Sequence, residues 1–373
     1  MFDRAPIHCI LPPHILKEIA TRGRTPQVRA RAIDTLTSSE RLRGRREALS
    51  SILPGLRAHT EGAPSAAAPN LVRRVHTAAN GTTLPGTLVR SEGQPAGNDV
   101  AVNEAYDGAG ATYELYLKAY QRNSIDDRGM PIVSTVHYDN AYDNAFWNGE
   151  QMVYGDGDGE LFQRFTIALD VIGHELTHGV TQYEANLLYS HQPGALNESM
   201  SDVFGSLVKQ LSLGQRADQA DWLIGAGLFT SQVEGDALRS MKAPGTAYDD
   251  DVLGKDPQPA TMSGYVNTSF DNGGVHINSG IPNHAFYLAA TAIGGNAWEK
   301  AGLIWYTALR DRLRRTADFS KAATETSRVA ADLFGRDGTE HRAVTKAWAD
   351  VGVPVQDGGK PKHAASTAPG ARR

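Results

Sequence analysis

Five consecutive residues, His174-Glu175-Leu176-Thr177-His178, limit what this chain can fold into more than any other stretch. They lie in a run whose apolar residues Phe165, Leu169, Ile172, Leu176 and Val180 are spaced four, three, four and four apart, the period of a helix buried along one face. Residues four apart on a helix sit one above the other, so His174 and His178 project together. At 100° per residue His174 stands roughly 200° around from Ile172, away from the apolar stripe. Two imidazoles bracketing a carboxylate are an expensive way to build packing and a good way to hold a metal ion. The spacing predicts a helix carrying two metal ligands, with Glu175 beside the open coordination position.

A catalytic zinc keeps three protein ligands and leaves a fourth position open. The third is expected at Glu198. It lies in a second helical run, Ala195 to Leu211, where Met200, Val203, Phe204 and Leu207 make the apolar face and Glu198 and Asp202 share another side at i, i+4. Asp202, one turn beyond the ligand, is placed to accept the remaining N–H of a metal-bound imidazole, which fixes its tautomer and raises its basicity. These residues allow metal-assisted attack of water on a peptide carbonyl, with Glu175 first as base and then as acid toward the leaving nitrogen.

With both segments on the page, the chain resembles the thermolysin-like zinc metallopeptidases over roughly residues 70 to 353. The resemblance extends through Asp143-Asn144-Ala145-Phe146-Trp147-Asn148-Gly149, the run Gly155 to Gly159, Gly235 to Met241, and Asp271 to Gly280. It implies that Tyr189 and His276 donate to the oxyanion, that Asp271 orients His276, and that Asn144, Ala145 and Arg239 hold the substrate backbone. It also implies an apolar pocket of Phe165, Val171, Ile224 and Leu238, hence cleavage on the amino side of bulky hydrophobic residues. The implied fold is α+β in two lobes: β-rich first, α-helical second, with the zinc helix in the cleft between them. Local patterns agree, since Pro131 to Tyr138 reads as a strand, and Leu303 to Arg315, Ser320 to Phe334 and Glu340 to Val351 read as helices. The run Gly155 to Gly159 lacks the further acids of a calcium loop and reads as a tight turn.

One departure concerns calcium. Many thermolysin-like enzymes build a double calcium site from five acidic positions. Asp170 and Asp221 remain here, but Lys209, Leu223 and Ala226 occupy the others, too few oxygens for a six-to-eight coordinate ion. The double site is expected to be absent, with the Lys209 ammonium bridging the two aspartates.

Residues 1–50 carry ten Lys or Arg against five Asp or Glu, net +5, which leaves −10 for the rest of a chain at −5. The two parts should attract. This front segment has helical patterns through Leu16 and Ile19 and again through Ile33 and Leu36, and a Pro, Ala and Ser-rich linker, residues 51–70, follows with the expected processing site. Cys9-Ile10-Leu11-Pro12-Pro13-His14-Ile15-Leu16 resembles the short propeptide of protealysin-type precursors. Two modes of self-inhibition stand open: the Cys9 thiolate on zinc's vacant position, or a buried Cys9 with Pro12 and Pro13 obstructing the cleft as a poor substrate. The catalytic lobe is expected over 71–203, the helical lobe over 204–353, and a disordered tail over 354–373.

With 40% hydrophobic and 21% charged residues in 373, the chain has ample core for two lobes. Net negative charge argues against nucleic-acid binding, and no apolar run is long enough to span a bilayer. One cysteine excludes an internal disulfide. Asp3, Arg4, Pro12 and Pro13 break up any apolar core of a signal peptide, so synthesis in the cytoplasm is expected, with action outside the cell, which the resemblance implies, reached by a non-classical route. The expected partners are protein and peptide substrates and the chain's own front segment. Two competing classes are a zinc-clamped binding protein, which has no use for Glu175, and a zinc hydrolase of non-peptide substrates.

Overall fold

The computed structural model describes residues 8–52 and 69–356, without the side chains of residues 8 and 40–52. The expected tail beyond residue 356 and most of the expected linker lie outside these residues. Two helices, α1 (Pro13–Arg22) and α2 (Pro26–Ile52), follow a two-residue strand β1 (His8–Cys9). Pro13 opens α1, where a missing N–H costs nothing, and Ile15, Leu16 and Ile19 bury its inner face.

The first lobe is a six-stranded mixed sheet in the order β1-β5-β6-β4-β2-β3, built from β2 (Arg73–Thr77), β3 (Thr87–Ser91), β4 (Ile132–Val136), β5 (Ala145–Trp147) and β6 (Met152–Tyr154). Strand β1 reaches the sheet from the front segment and pairs antiparallel with the edge strand β5, His8 opposite Trp147 and Cys9 opposite Phe146. Helix α3 (Val100–Tyr120) covers one face and is capped by Asp99, whose side chain accepts the Val102 N–H. Between β6 and the next helix, Asp158 Oδ1 accepts the N–H groups of Glu160, Leu161 and Phe162 at 2.7–3.0 Å, which makes the aspartate-glycine run a tight turn.

Helices α4 (Leu169–Tyr183) and α5 (His191–Leu213) form the centre of the molecule and are buried nearly throughout. They cross where Gly173 meets Gly205. A Cβ on Gly205 would lie 2.4 Å from the Asp170 carbonyl oxygen, so only glycine lets the two backbones approach this closely. Short strands β7 (Leu223–Ile224) and β8 (Arg239–Ser240) pair with each other, as do β9 (Asp249–Asp250) and β10 (Gly254–Lys255). Then come α6 (Asp271–Asn278), α7 (Gly280–Ile293), α8 (Ala301–Thr307), α9 (Phe319–Phe334) and α10 (Thr339–Asp350). The architecture is the expected α+β arrangement, a β-rich N-terminal part and a helical C-terminal part. Helix α5 is continuous across position 203, so the expected lobe boundary falls within it. Among the described residues, no helix is long and apolar enough to cross a membrane.

Candidate active site

Helix α4 supplies His174, Glu175 and His178, and α5 supplies Glu198, Asp202 and Asn197; all six are buried where the helices face each other. His174 Nδ1 lies 2.8 Å from Asp202 Oδ1, and His178 Nδ1 lies 2.9 Å from Asn197 Oδ1 and 3.0 Å from Ser201 Oγ. Asp202 and the Asn197 carbonyl oxygen can only accept, so each ring carries its hydrogen on Nδ1 and turns the Nε2 lone pair inward. Those two Nε2 atoms are 3.0 Å apart, and Glu198 oxygens stand 3.5 Å from the first and 3.4 Å from the second. Lone pairs and a carboxylate crowded together repel unless a cation lies among them, and Glu198 Oε2 is buried without a hydrogen-bond partner. Among the described residues His174, His178 and Glu198 alone converge as a metal-ligand group. The donor set, two nitrogens and one carboxylate, fits zinc.

Asp202 is the hub behind this group. Arg239, on β8, donates to both its oxygens at 2.8 Å, and Asn283, on α7, donates Nδ2 at 2.8 Å. Burial pushes the Asp202 carboxyl up, but the Arg239 charge and the His174 bond outweigh it and hold the group below the usual carboxylate range. Glu175 lies next to this network with the opposite electrostatics. Burial first, and the Glu198 charge second, raise its pKa well above normal, although the Trp147 N–H donates to Oε2 at 2.9 Å.

His276 is carried by α6 rather than by the loop its glycine-rich surroundings suggest. Asp271, Asn272, Gly273 and Gly274 all have positive φ, a left-handed turn that Asn, Asp and Gly tolerate, and it folds Asp271 back onto the histidine. Asp271 Oδ2 accepts the His276 N–H at 2.9 Å and Oδ1 faces Nδ1 at 2.6 Å. Burial would lower the imidazole pKa, yet the Asp271 and Glu198 charges win and raise it. Tyr189 donates to Glu198 Oε1, and its hydroxyl lies 3.2 Å from His276 Nε2. The structure thus gathers His174, Glu175, His178, Tyr189, Glu198, Asp202, Arg239, Asp271 and His276 at one point.

The front segment threads through that point. The Ile10 N–H donates to the Ala145 carbonyl at 3.1 Å, and the Leu11 N–H to Asn144 Oδ1 at 3.0 Å. Arg239 Nη1 donates to the Ile10 carbonyl at 3.1 Å, and His276 Nε2 lies 3.0 Å from the Cys9 carbonyl oxygen. Ile10 is fully buried, in the same core as Phe165, Val171, Ile224 and Leu238. Pro12 turns the chain into α1, which begins at Pro13. The expectation of a Cys9 thiolate on the metal is corrected by this geometry. The Cys9 side chain packs with Tyr138, Tyr142, Phe146 and Val153, because in an extended strand the side chain and the adjoining carbonyl diverge, and it is the carbonyl that faces His276.

Sequence reasoning missed four supporting groups: Asn197 and Ser201 on His178, the Trp147 N–H on Glu175, and Asn283 on Asp202. Asn197 and Ser201 carried a signal, being i, i+4 on the face next to Glu198. Trp147 and Asn283 carried none, since each reaches the site through tertiary contact. Away from the centre, Lys209 Nζ sits 2.7 Å from Asp170 Oδ2, 3.0 Å from Asp221 Oδ1 and 2.7 Å from the Leu223 carbonyl, the expected bridge.

Comparison with known proteins agrees with this geometry. Residues 64–182 match the thermolysin metallopeptidase catalytic domain and residues 185–353 its alpha-helical domain. An extracellular metalloprotease of Pectobacterium carotovorum subsp. carotovorum is 53% identical over 94% of this chain and 98% of the relative. A thermolysin of Alicyclobacillus acidocaldarius subsp. acidocaldarius is 42% identical over 74% of this chain and 50% of its own length. The solved precursor of protealysin, a metalloproteinase from Serratia proteamaculans, superposes with a TM-score of 0.83 at 51% identity, covering 93% of this chain and 99% of that one. The chain belongs to the thermolysin metallopeptidase family and is a metalloendopeptidase.

Proposed function

We propose that this chain is the self-blocked precursor of a zinc endopeptidase that cuts on the amino side of bulky hydrophobic residues. The observation that carries this reading is the convergence of two imidazole lone pairs and one carboxylate beside Glu175, whose own carboxyl is raised by burial. His174, His178 and Glu198 would hold the ion, with Asp202 orienting His174. Bound zinc supplies Lewis acidity toward the scissile carbonyl and the attacking water. Glu175 takes the water proton and passes it to the leaving nitrogen, roles suited to a carboxyl with a raised pKa. Charge growing on the carbonyl oxygen is met by the Tyr189 hydroxyl and the His276 N–H, the latter held charged by Asp271. Asn144, Ala145 and Arg239 align the substrate backbone, and Phe165, Val171, Ile224 and Leu238 receive the side chain that follows the cut.

Residues 1–50 form the inhibitory segment, with Ile10, Leu11, Pro12 and Pro13 filling the substrate cleft and opposite net charges drawing segment and enzyme together. The joining stretch 51–70 carries the processing site, 71–203 is the catalytic lobe and 204–353 the helical one. Lys209 takes the place of the double calcium site, its ammonium tethering Asp170 to Asp221. Action outside the cell accords with the extracellular name of the Pectobacterium relative.

The test removes residues 1–68 and compares casein hydrolysis and bound zinc in the wild-type sequence and Glu175→Ala. Activity should fall by about 10²–10⁴-fold with zinc retained. Zinc lost along with activity would make Glu175 a ligand and reject its role as base.

A further inference from the structure

The front segment lies in the cleft in one particular register. The Cys9 carbonyl is the one that faces His276 Nε2, at 3.0 Å, and the nitrogen bonded to that carbonyl, that of Ile10, lies against the Glu175 carboxylate as well as donating to the Ala145 carbonyl. The next carbonyl, that of Ile10, takes the Arg239 donor, and the next N–H, that of Leu11, goes to Asn144. The contacts that the proposed mechanism asks of His276, Ala145, Arg239 and Asn144 are all made by this one stretch of main chain. The residue after the addressed bond is a buried isoleucine, which is the preference assigned to the pocket.

We propose that the Cys9–Ile10 peptide bond is a self-processing site, hydrolysed in cis by the centre it blocks. This inference rests on the peptidase reading above. Water oxygen bonds to the Cys9 carbonyl carbon, Glu175 carries the first water proton to the Ile10 nitrogen, the C–N bond breaks, and Glu175 passes the second water proton to the freed amine, leaving a Cys9 carboxylate and an Ile10 ammonium. Turnover is slow because His174, Glu175 and His178 are fully buried beneath the docked segment, so water enters only when the segment lifts. The nick releases residues 1–9 and with them β1, the strand that pairs with β5, while α1 still holds Ile10 onward in place. Self-processing at this bond frees one half of the cleft before the joining stretch is cut.

The test follows the zinc-loaded full chain by intact mass and N-terminal sequencing. The expected result is a new N-terminus at Ile10, formed at a first-order rate that does not change over a hundredfold range of protein concentration and is absent from Glu175→Gln. A chain that stays intact at Cys9–Ile10, while the form freed of residues 1–68 hydrolyses casein, overturns this inference alone. Failure of the freed form to hydrolyse casein overturns the peptidase reading as well. A rate proportional to concentration assigns the cut to a second molecule and also overturns it. A separate readout needs no turnover: in zinc-free Glu175→Gln, adding Ile10→Asp should speed tryptic cleavage after Arg22 by about tenfold or more, since a carboxylate cannot occupy an apolar seat cheaply. Unchanged trypsin sensitivity would mean that Ile10 does not anchor the segment, and the register would be wrong.

Discussion

Arg239 clasps Asp202 through both carboxylate oxygens, at 2.8 Å from Nε to Oδ2 and 2.8 Å from Nη2 to Oδ1, with both side chains buried. The same guanidinium reaches forward to the Ile10 carbonyl and the same aspartate reaches sideways to His174. One ion pair therefore joins the substrate-binding side of the cleft to the metal ligands.

Asp202→Asn keeps the shape of this pair and removes its charge. Arg239 is then a buried cation without a counterion, a loss of about 3–5 kcal/mol. His174 also loses the negative charge on its acceptor, which makes it a less basic ligand and weakens zinc binding by about 10–100-fold. Urea unfolding and zinc competition against a chelator measure the two effects separately. Unchanged zinc affinity would show that the Asp202 charge does not strengthen the ligand.

Gly205→Ala addresses the spacing between the two ligand helices. The added methyl would lie 2.4 Å from the Asp170 carbonyl oxygen and 2.9 Å from the His174 nitrogen, and neither backbone atom can swing away. Helix α5 must shift outward, which costs about 1–3 kcal/mol as overpacking. Because α4 carries the histidines and α5 carries Glu198, that shift also lengthens the span between ligands. The expected outcome is a lowered Tm together with reduced zinc occupancy. A Tm drop with full occupancy would mean the helices flex without moving the ligands.

What could be read from the chain without its fold follows from how local each interaction is. His174, Glu175 and His178 are fixed relative to one another by a single helical turn, and so are Glu198 and Asp202, so spacing alone exposes both groups. Tyr189, His276, Asn144 and Arg239 leave no periodic trace, and only resemblance singled them out. Trp147 and Asn283 could not be found at all, since a main-chain N–H and an unremarkable helix position gain meaning only when β5 and α7 are packed against the centre. The two-residue strand β1 is similar: it is held by backbone pairing and by carbonyl contacts, which are independent of side-chain pattern. This is why a thiol ligand at Cys9 looked reasonable from composition, whereas strand geometry sends the sulfur into an aromatic cluster.

Lys209 is expected to make calcium irrelevant to stability. Its ammonium fills the space between Asp170 and Asp221, and Asp170 Oδ1 is already occupied by the Gly225 N–H. Adding calcium should leave the Tm unchanged. Lys209→Met, by leaving the buried Asp170 carboxylate without its cation, should destabilise by about 3–5 kcal/mol. A wild-type Tm that rises with added calcium would reject the substitution of ammonium for metal.

His137 gives the fold a dependence on pH that is separate from the catalytic groups. Its Nε2 lies 2.9 Å from Asp99 Oδ2, and its Nδ1 lies 2.8 Å from Asp156 Oδ2, so the ring ties the cap of α3 to the turn after β6. The bond to Asp156 raises its pKa, burial opposes the rise, the bond to Asp99 adds to it, and the net result is about 9. An ordinary unfolded histidine titrates near 6.5. A folded pKa above the unfolded one means that the protonated ring stabilises the fold: the contribution is fully present below about pH 6.5 and disappears as pH climbs through about 9. The ring is 25% exposed, and solvent screening limits the contribution to about 1–2 kcal/mol. His137→Gln should therefore be less stable than wild type by that amount in urea at pH 6 and equal to it at pH 10. A difference that stays constant across this range would assign the loss to packing instead of charge.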